Sequence, residues 1–295
     1  MDLVTPAYRA AAVLARRAPG PVASRAARRL GRIAYLAASG RREQVERNLR
    51  RVDPTLTDRE LGRLARHTFE SYARYYEESF RLPDRTVEEL DAGFTHEGYE
   101  HLEAAIRAGS GAILAMPHLG GWEWSGFWLT RVKGIATSVV VERLEPPALF
   151  DWFADLRRSF GLEVIPLGPD AGAATARALK ANRALGLLCD RDLTGAGPEV
   201  EFFGERTTLP GGPATLALRS GAPLLPTAIY FDGPRRHGVV LPPLDTTRHG
   251  KLREDVARVT QDLAHALEVL IRRAPEQWHL LQPNWPSDRA SSSGA

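Results

Sequence analysis

The chain has 295 residues, 43% hydrophobic and 25% charged, an ordinary globular usage long enough to bury a full core without disulfides or a structural metal. Its single cysteine, Cys189, excludes an internal disulfide framework and suits a reducing cytoplasm. The net charge of +3 is unevenly spread: from Met1 to Arg42 the only acid is Asp2, against nine arginines that include Arg9, Arg16, Arg25, Arg28 and Arg32, an asymmetry that points to an anionic surface nearby.

Residues 3–40 read as helices with Leu, Val, Ala and Tyr on one side and Arg on the other, broken near Pro19-Gly20-Pro21. No stretch approaches the roughly 20 apolar residues of a membrane span, and the interspersed arginines do not form a secretory signal. Such a segment can lie in a membrane interface or pack as an ordinary surface helix. Residues 43–81 form a second helical stretch, with Thr57-Asp58-Arg59-Glu60 as a capping box. Phe69, Tyr72, Tyr76 and Phe80 recur at helical spacing, which predicts a core stripe.

From about Phe94 short apolar runs alternate with amphipathic helices. Helices are predicted at 100–108, 121–130, 147–160, 173–181, 211–220 and 254–273, and strands at 111–116, 136–141, 163–166, 185–189, 224–230 and 238–241. This alternation predicts an α/β fold, a central mostly parallel sheet flanked by helices on both faces and preceded by N-terminal amphipathic helices. The expected organisation is a membrane-associating helical segment at 1–82, an α/β core at 83–286 and a disordered tail at 287–295, rich in Ser, Gly and Ala.

Reactive groups in open α/β sheets gather where strands end. His118 stands two residues beyond the strand ending at Met116, followed by Gly120-Gly121 and a helix carrying Glu123. The glycines allow close approach of a substrate or of backbone, and a helix N-terminus offers N–H groups to a developing oxyanion. A general base needs one ring nitrogen free and the other held by a partner. The carboxylate five positions on, and acids at the next strand end, are candidates for that partner.

The stretch from Met116 to Glu123 resembles the His-x-x-x-x-Asp/Glu motif of glycerolipid acyltransferases. More narrowly, it resembles the late lipid A acyltransferases and their actinobacterial relatives, the phosphatidylinositol mannoside acyltransferases. Further blocks agree in order: Val140 to Leu144 leading to a helix with Arg157, Leu187 to Leu193, Val200 to Gly204, Pro210 to Ala214, and Pro275-Glu276-Gln277-Trp278. Asn48-Leu49 is similar too.

The resemblance implies transfer of an acyl chain from acyl-CoA to a mannose hydroxyl of a phosphatidylinositol mannoside, with His118 as general base and no acyl-enzyme. It offers Glu123 or Asp190 as the carboxylate that orients His118, and Glu142 with Arg157 as an ion pair lining the acceptor pocket. Arg143, Arg191 and Asp192 join the substrate-binding set. Asp190 and Asp192 would share a side if the strand continued that far. No resident cofactor, metal or nucleic acid is expected, and the implied place is peripheral, at the cytoplasmic face of the membrane. The alternative in the same superfamily is a lipid A-type enzyme taking its acyl group from acyl carrier protein. A serine or metal hydrolase is disfavoured, since there is no Gly-x-Ser-x-Gly elbow and no zinc spacing; His96 and His101 read as solvated. A non-enzymatic protein recruited by its Arg-rich segment leaves the His118 block unexplained.

Overall fold

A computed structural model describes residues 4–290. Four helices open the chain, α1 (Val4–Arg17), α2 (Gly20–Ala37), α3 (Ser39–Val52) and α4 (Asp58–Arg81). The predicted stretch at 43–81 is therefore two helices, divided where Asp53 ends α3 and Thr57 caps α4. Thr57 and Glu60 close the capping box in both directions. No helix among the described residues is long and apolar enough to cross a membrane.

Beyond a short helix α5 (Val87–Ala92), seven strands build one sheet: β1 (Phe94–Glu97), β2 (Ala112–Met116), β3 (Thr137–Val141), β4 (Glu163–Pro166), β5 (Ala184–Leu188), β8 (Leu224–Asp232) and β9 (Arg235–Val240). A separate hairpin comprises β6 (Glu199–Phe202) and β7 (Glu205–Thr208). The sheet order is β1-β9-β8-β2-β5-β3-β4, and only the β8–β9 pair is antiparallel. The mostly parallel α/β architecture is as the sequence predicts, while β1, α5 and the hairpin are additions to it.

The period-two rule of a strand explains how both faces are covered. Along β2, Ile113 and Ala115 face a core formed with α9 (Ala171–Lys180), α10 (Gly212–Ser220) and α11 (Leu252–Arg272). Ala112 and Leu114 face the opposite core, formed with α6 (Tyr99–Ala108) and α7 (Trp122–Arg131). The remaining helices are α8 (Pro147–Arg158) and α12 (Pro286–Ala290).

The chain after Trp285 departs from the expected tail. Asp288 is fully buried and accepts from the amides of Asn284 and Trp285 and from the Arg51 and Gln44 side chains, which ties the last helix to α3. Residues 291–295 of the expected tail lie outside the described residues.

Candidate active site

Register brings the two central groups together. β2 and β5 run parallel with Met116 opposite Leu188, so His118 and Asp190 each sit two residues past matched strand ends. His118 Nδ1 lies 2.6 Å from Asp190 Oδ1, and its backbone amide donates to Oδ2 at 3.0 Å. Trp278 Nε1 donates to the same Oδ2 at 2.7 Å, and Asn284 Nδ2 to the Asp190 carbonyl at 3.0 Å. Asp190 is fully buried. Burial works to raise its carboxyl, but the His118 charge and these hydrogen bonds hold it below the usual carboxylate range. With Nδ1 so engaged, His118 has Nε2 left for a groove into which its half-buried ring opens.

Glu123, the other candidate for orienting His118, is turned to a different partner. Arg157 Nε donates to Glu123 Oε2 at 3.1 Å, Arg157 Nη2 pairs with Oε1, and the Tyr75 hydroxyl donates to Oε1 at 3.1 Å. Burial acts against the Arg157 charge, yet Glu123 holds that guanidinium above its ordinary value. The expected Glu142–Arg157 pair is thus replaced: Glu142 Oε2 accepts from Arg191 Nη2 at 2.7 Å. Both exchanged pairs line the groove. Arg143 lies over the Phe150 ring instead, 6.0 Å from its centroid.

β5 ends at Leu188, so the strand alternation that would put Asp190 and Asp192 on one side does not reach them. Asp192 caps a loop, accepting from the Thr194 amide and hydroxyl and from the Gly197 amide.

Of the two close approaches that the diglycine permits, the structure uses the backbone one. Gly120 has φ +61°, and a Cβ there would stand 2.0 Å from the Ile229 carbonyl oxygen. The Gly120 and Gly121 amides donate to the carbonyls of Gln277 and Ile229 at 3.0 and 3.2 Å, so neither faces an oxyanion. Cys189 is buried with its Sγ toward the Leu187 carbonyl, and burial pushes the thiol up, away from a nucleophilic thiolate.

Sequence reasoning did not reach His279. Its amide donates to the His118 carbonyl at 2.6 Å, its Nε2 lies 2.8 Å from Ser71 Oγ, and its buried Nδ1 has no partner among the described residues. Burial first, and the proximity of His118 second, pull the imidazole down to about 3. Nothing periodic marks it; the only signal was its position directly after the Pro275–Trp278 block. Trp278 belonged to that block, but its bond to Asp190 needed the fold.

The groove has a volume of about 1270 Å³. Leu114, Leu129, Val139, Leu162 and Leu187 supply an apolar part, and Tyr72, Tyr75 and Tyr76 of α4 a second wall. The aromatic stripe expected to be core is therefore divided: Phe69 and Phe80 are buried in core clusters, whereas Tyr72 and Tyr76 line the groove. A boundary at residue 82 would separate these tyrosines from His118, which they accompany in one site.

The profile of the bacterial lipid A biosynthesis acyltransferase family matches residues 3–287. A phosphatidylinositol mannoside acyltransferase of Mycobacterium tuberculosis strain H37Rv is 42% identical over 269 residues, 88% of this chain and 82% of that protein. A protein of the same name from Mycolicibacterium smegmatis is 41% identical over 261 residues, 86% of this chain and 83% of its own length.

Proposed function

The chain belongs to the bacterial lipid A biosynthesis acyltransferase family and is an acyltransferase, and on that premise we propose that it acylates a mannose hydroxyl of a phosphatidylinositol mannoside from acyl-CoA. The observation that carries the mechanism is the buried Asp190 carboxylate at 2.6 Å from His118 Nδ1, beside an apolar groove. Asp190 fixes the ring orientation and the tautomer with Nδ1 protonated, so Nε2 accepts a proton.

In the proposed reaction Nε2 takes the proton of the mannose hydroxyl as its oxygen attacks the thioester carbonyl. The tetrahedral intermediate collapses with cleavage of the C–S bond, and the CoA sulfur leaves with the proton from His118. The products are the sugar ester and free CoA, with His118 restored and no acyl-enzyme formed. The amides of Trp122 and Glu123, in the first turn of α7, are the N–H groups assigned to the oxyanion, because those of Gly120 and Gly121 donate elsewhere. The apolar part of the groove takes the acyl chain. Arg157, Arg191 and Glu142 line the polar part and meet the acceptor.

We assign the enzyme to the cytoplasmic face of the membrane as a peripheral protein. Supporting this, Leu14, Leu30, Ile33 and Leu36 of α1 and α2 are exposed in helices that also carry Arg25, Arg28 and Arg29. The test is incubation of purified protein with labelled palmitoyl-CoA and a panel of glycolipid acceptors. Labelled acyl mannoside is the expected product. Transfer only to a lipid A precursor, and only from acyl carrier protein, would overturn both acceptor and donor.

A further inference from the structure

The helix α4 borders two cavities. Tyr72, Tyr75 and Tyr76 line the catalytic groove, while Ser71, Arg74 and Glu78 line a separate cavity of about 580 Å³ against α2, Trp124 and the β8–β9 turn. Two guanidinium groups there lie on aromatic faces. Arg74 sits 4.0 Å above the Phe231 centroid and donates through Nη2 to the Gly233 carbonyl at 2.7 Å. Arg236 sits 4.0 Å above the Trp124 centroid, pairs with Glu78, and keeps a buried Nε with no hydrogen-bond partner among the described residues.

Arg236 has Glu78 as its counter-ion, whereas Arg74 has no carboxylate within ion-pairing distance among the described residues. Burial, and then the neighbouring Arg74, pull Arg236 down to about 9, and burial lowers Arg74 as well, in both cases against the attraction of Glu77. Most carboxylates of the cavity are already committed: Glu70 to Arg32, Glu77 to Arg81 and Glu78 to Arg236. Glu276 remains, but among the described residues no carboxylate lies within ion-pairing distance of Arg74 or of Arg28 beside it. A bound oxyanion would supply the missing countercharge. Guanidinium groups seated over aromatic rings also keep N–H donors that suit phosphate oxygens.

We propose that this cavity is a phosphate-recognition site, distinct from the catalytic groove, in which Arg74 and Arg236 hold a phosphate ester. Its position ties it to catalysis: Ser71 lines the cavity and hydrogen-bonds His279, whose amide holds the His118 carbonyl. The site stands whether or not the acceptor is a mannoside. The ester is either a membrane lipid headgroup or a soluble glycerophosphate, and the two are separable.

The test uses the full chain in two arms at low salt. In the first, sn-glycerol 3-phosphate is titrated by calorimetry; in the second, the protein is co-sedimented with phosphatidylglycerol vesicles. Arg74→Gln is expected to weaken binding by about tenfold or more in at least one arm, as loss of a charge-assisted contact implies. Arg74→Lys, which keeps the charge and loses the fork, should fall between. A loss in the first arm identifies a soluble ester; a loss confined to the second identifies a lipid headgroup. Melting curves confirm that each variant is folded. Arg191→Gln, in the catalytic groove, is the control and should bind like wild type; the proposal is overturned if wild type binds in neither arm, or if Arg74→Gln binds like wild type in both.

Discussion

Two carboxylates stand near His118, and their surroundings give them different capacities. Asp190 is enclosed by donors that carry no fixed charge, the His118 ring and amide and the Trp278 indole. Glu123 faces Arg157, a permanent cation, with Tyr75 as a second partner. A carboxylate bound to an imidazole fixes the orientation and tautomer of that ring. One bound to a guanidinium neutralises a charge that is always present. The first is suited to acid–base work and the second to holding buried structure and groove shape.

The sharpest way to break this contrast is to measure both positions in the same assay. His118→Ala is expected to lower acyl transfer by about 10²–10⁴-fold in a protein that still folds, with a lower melting temperature because buried Asp190 Oδ1 loses its partner. Asp190→Asn, which favours the wrong ring tautomer, is expected to fall in the same range. Glu123→Ala should behave otherwise. Removing one partner of a buried pair leaves Arg157 uncompensated, at a penalty of about 3–5 kcal/mol read from the urea midpoint. Its rate per folded molecule should exceed that of Asp190→Asn. If Glu123→Ala is the slower enzyme and Asp190→Asn is near normal, the roles are reversed.

His279 supplies a second kind of contrast, in pH. Its folded-state value is pulled down to about 3 from an ordinary 6.5. Between those values the unfolded chain binds a proton that the folded protein excludes. The stability tied to its neutral form is therefore complete above about pH 6.5 and declines as the pH falls toward 3. Asp190 also loses stabilisation in acid, but only below its ordinary value of 3.8. Melting temperatures recorded from pH 7.5 to 5 stay above the Asp190 range, and His279→Gln should flatten the slope. An equal slope in both proteins would show that His279 takes up its proton as readily in the fold as in the unfolded chain.

How much of this was legible follows from the range of each interaction. The capping box of α4, the β2 strand and the Pro117–Glu123 turn depend on neighbours in the chain, and each is where local pattern puts it. Asp190 was reachable as a candidate because it too follows an apolar strand. That it meets His118 depends on β2 and β5 pairing in register across 72 residues, a long-range choice invisible to local periodicity. The exchange of ion-pair partners has the same origin. Glu123, Glu142, Arg157 and Arg191 are all present in the sequence, but which acid meets which base is decided by how α7, α8 and the loop after β5 pack. β1 shows little apolar alternation and forms against β9, far along the chain, whereas β6 and β7 are a local hairpin whose strands are only four residues long.

The mildest perturbation tests that exchange directly. Glu142 and Arg191 meet at 2.7 Å, but the Glu142 side chain is 47% exposed, so water screens the pair. Exposed pairs of this kind contribute at most about 1 kcal/mol. Glu142→Gln should therefore shift the melting temperature by about 2–3 °C or less, with any larger change confined to KM for the acceptor. A double-mutant cycle locates the partner. Glu142→Gln combined with Arg191→Gln should show a coupling of about 0.2–1 kcal/mol, and Glu142→Gln combined with Arg157→Gln should be additive. Coupling to Arg157 in place of Arg191 would restore the pairing read from the sequence. It would also free Glu123 to act on His118, and the division of roles between the two carboxylates would fall with it.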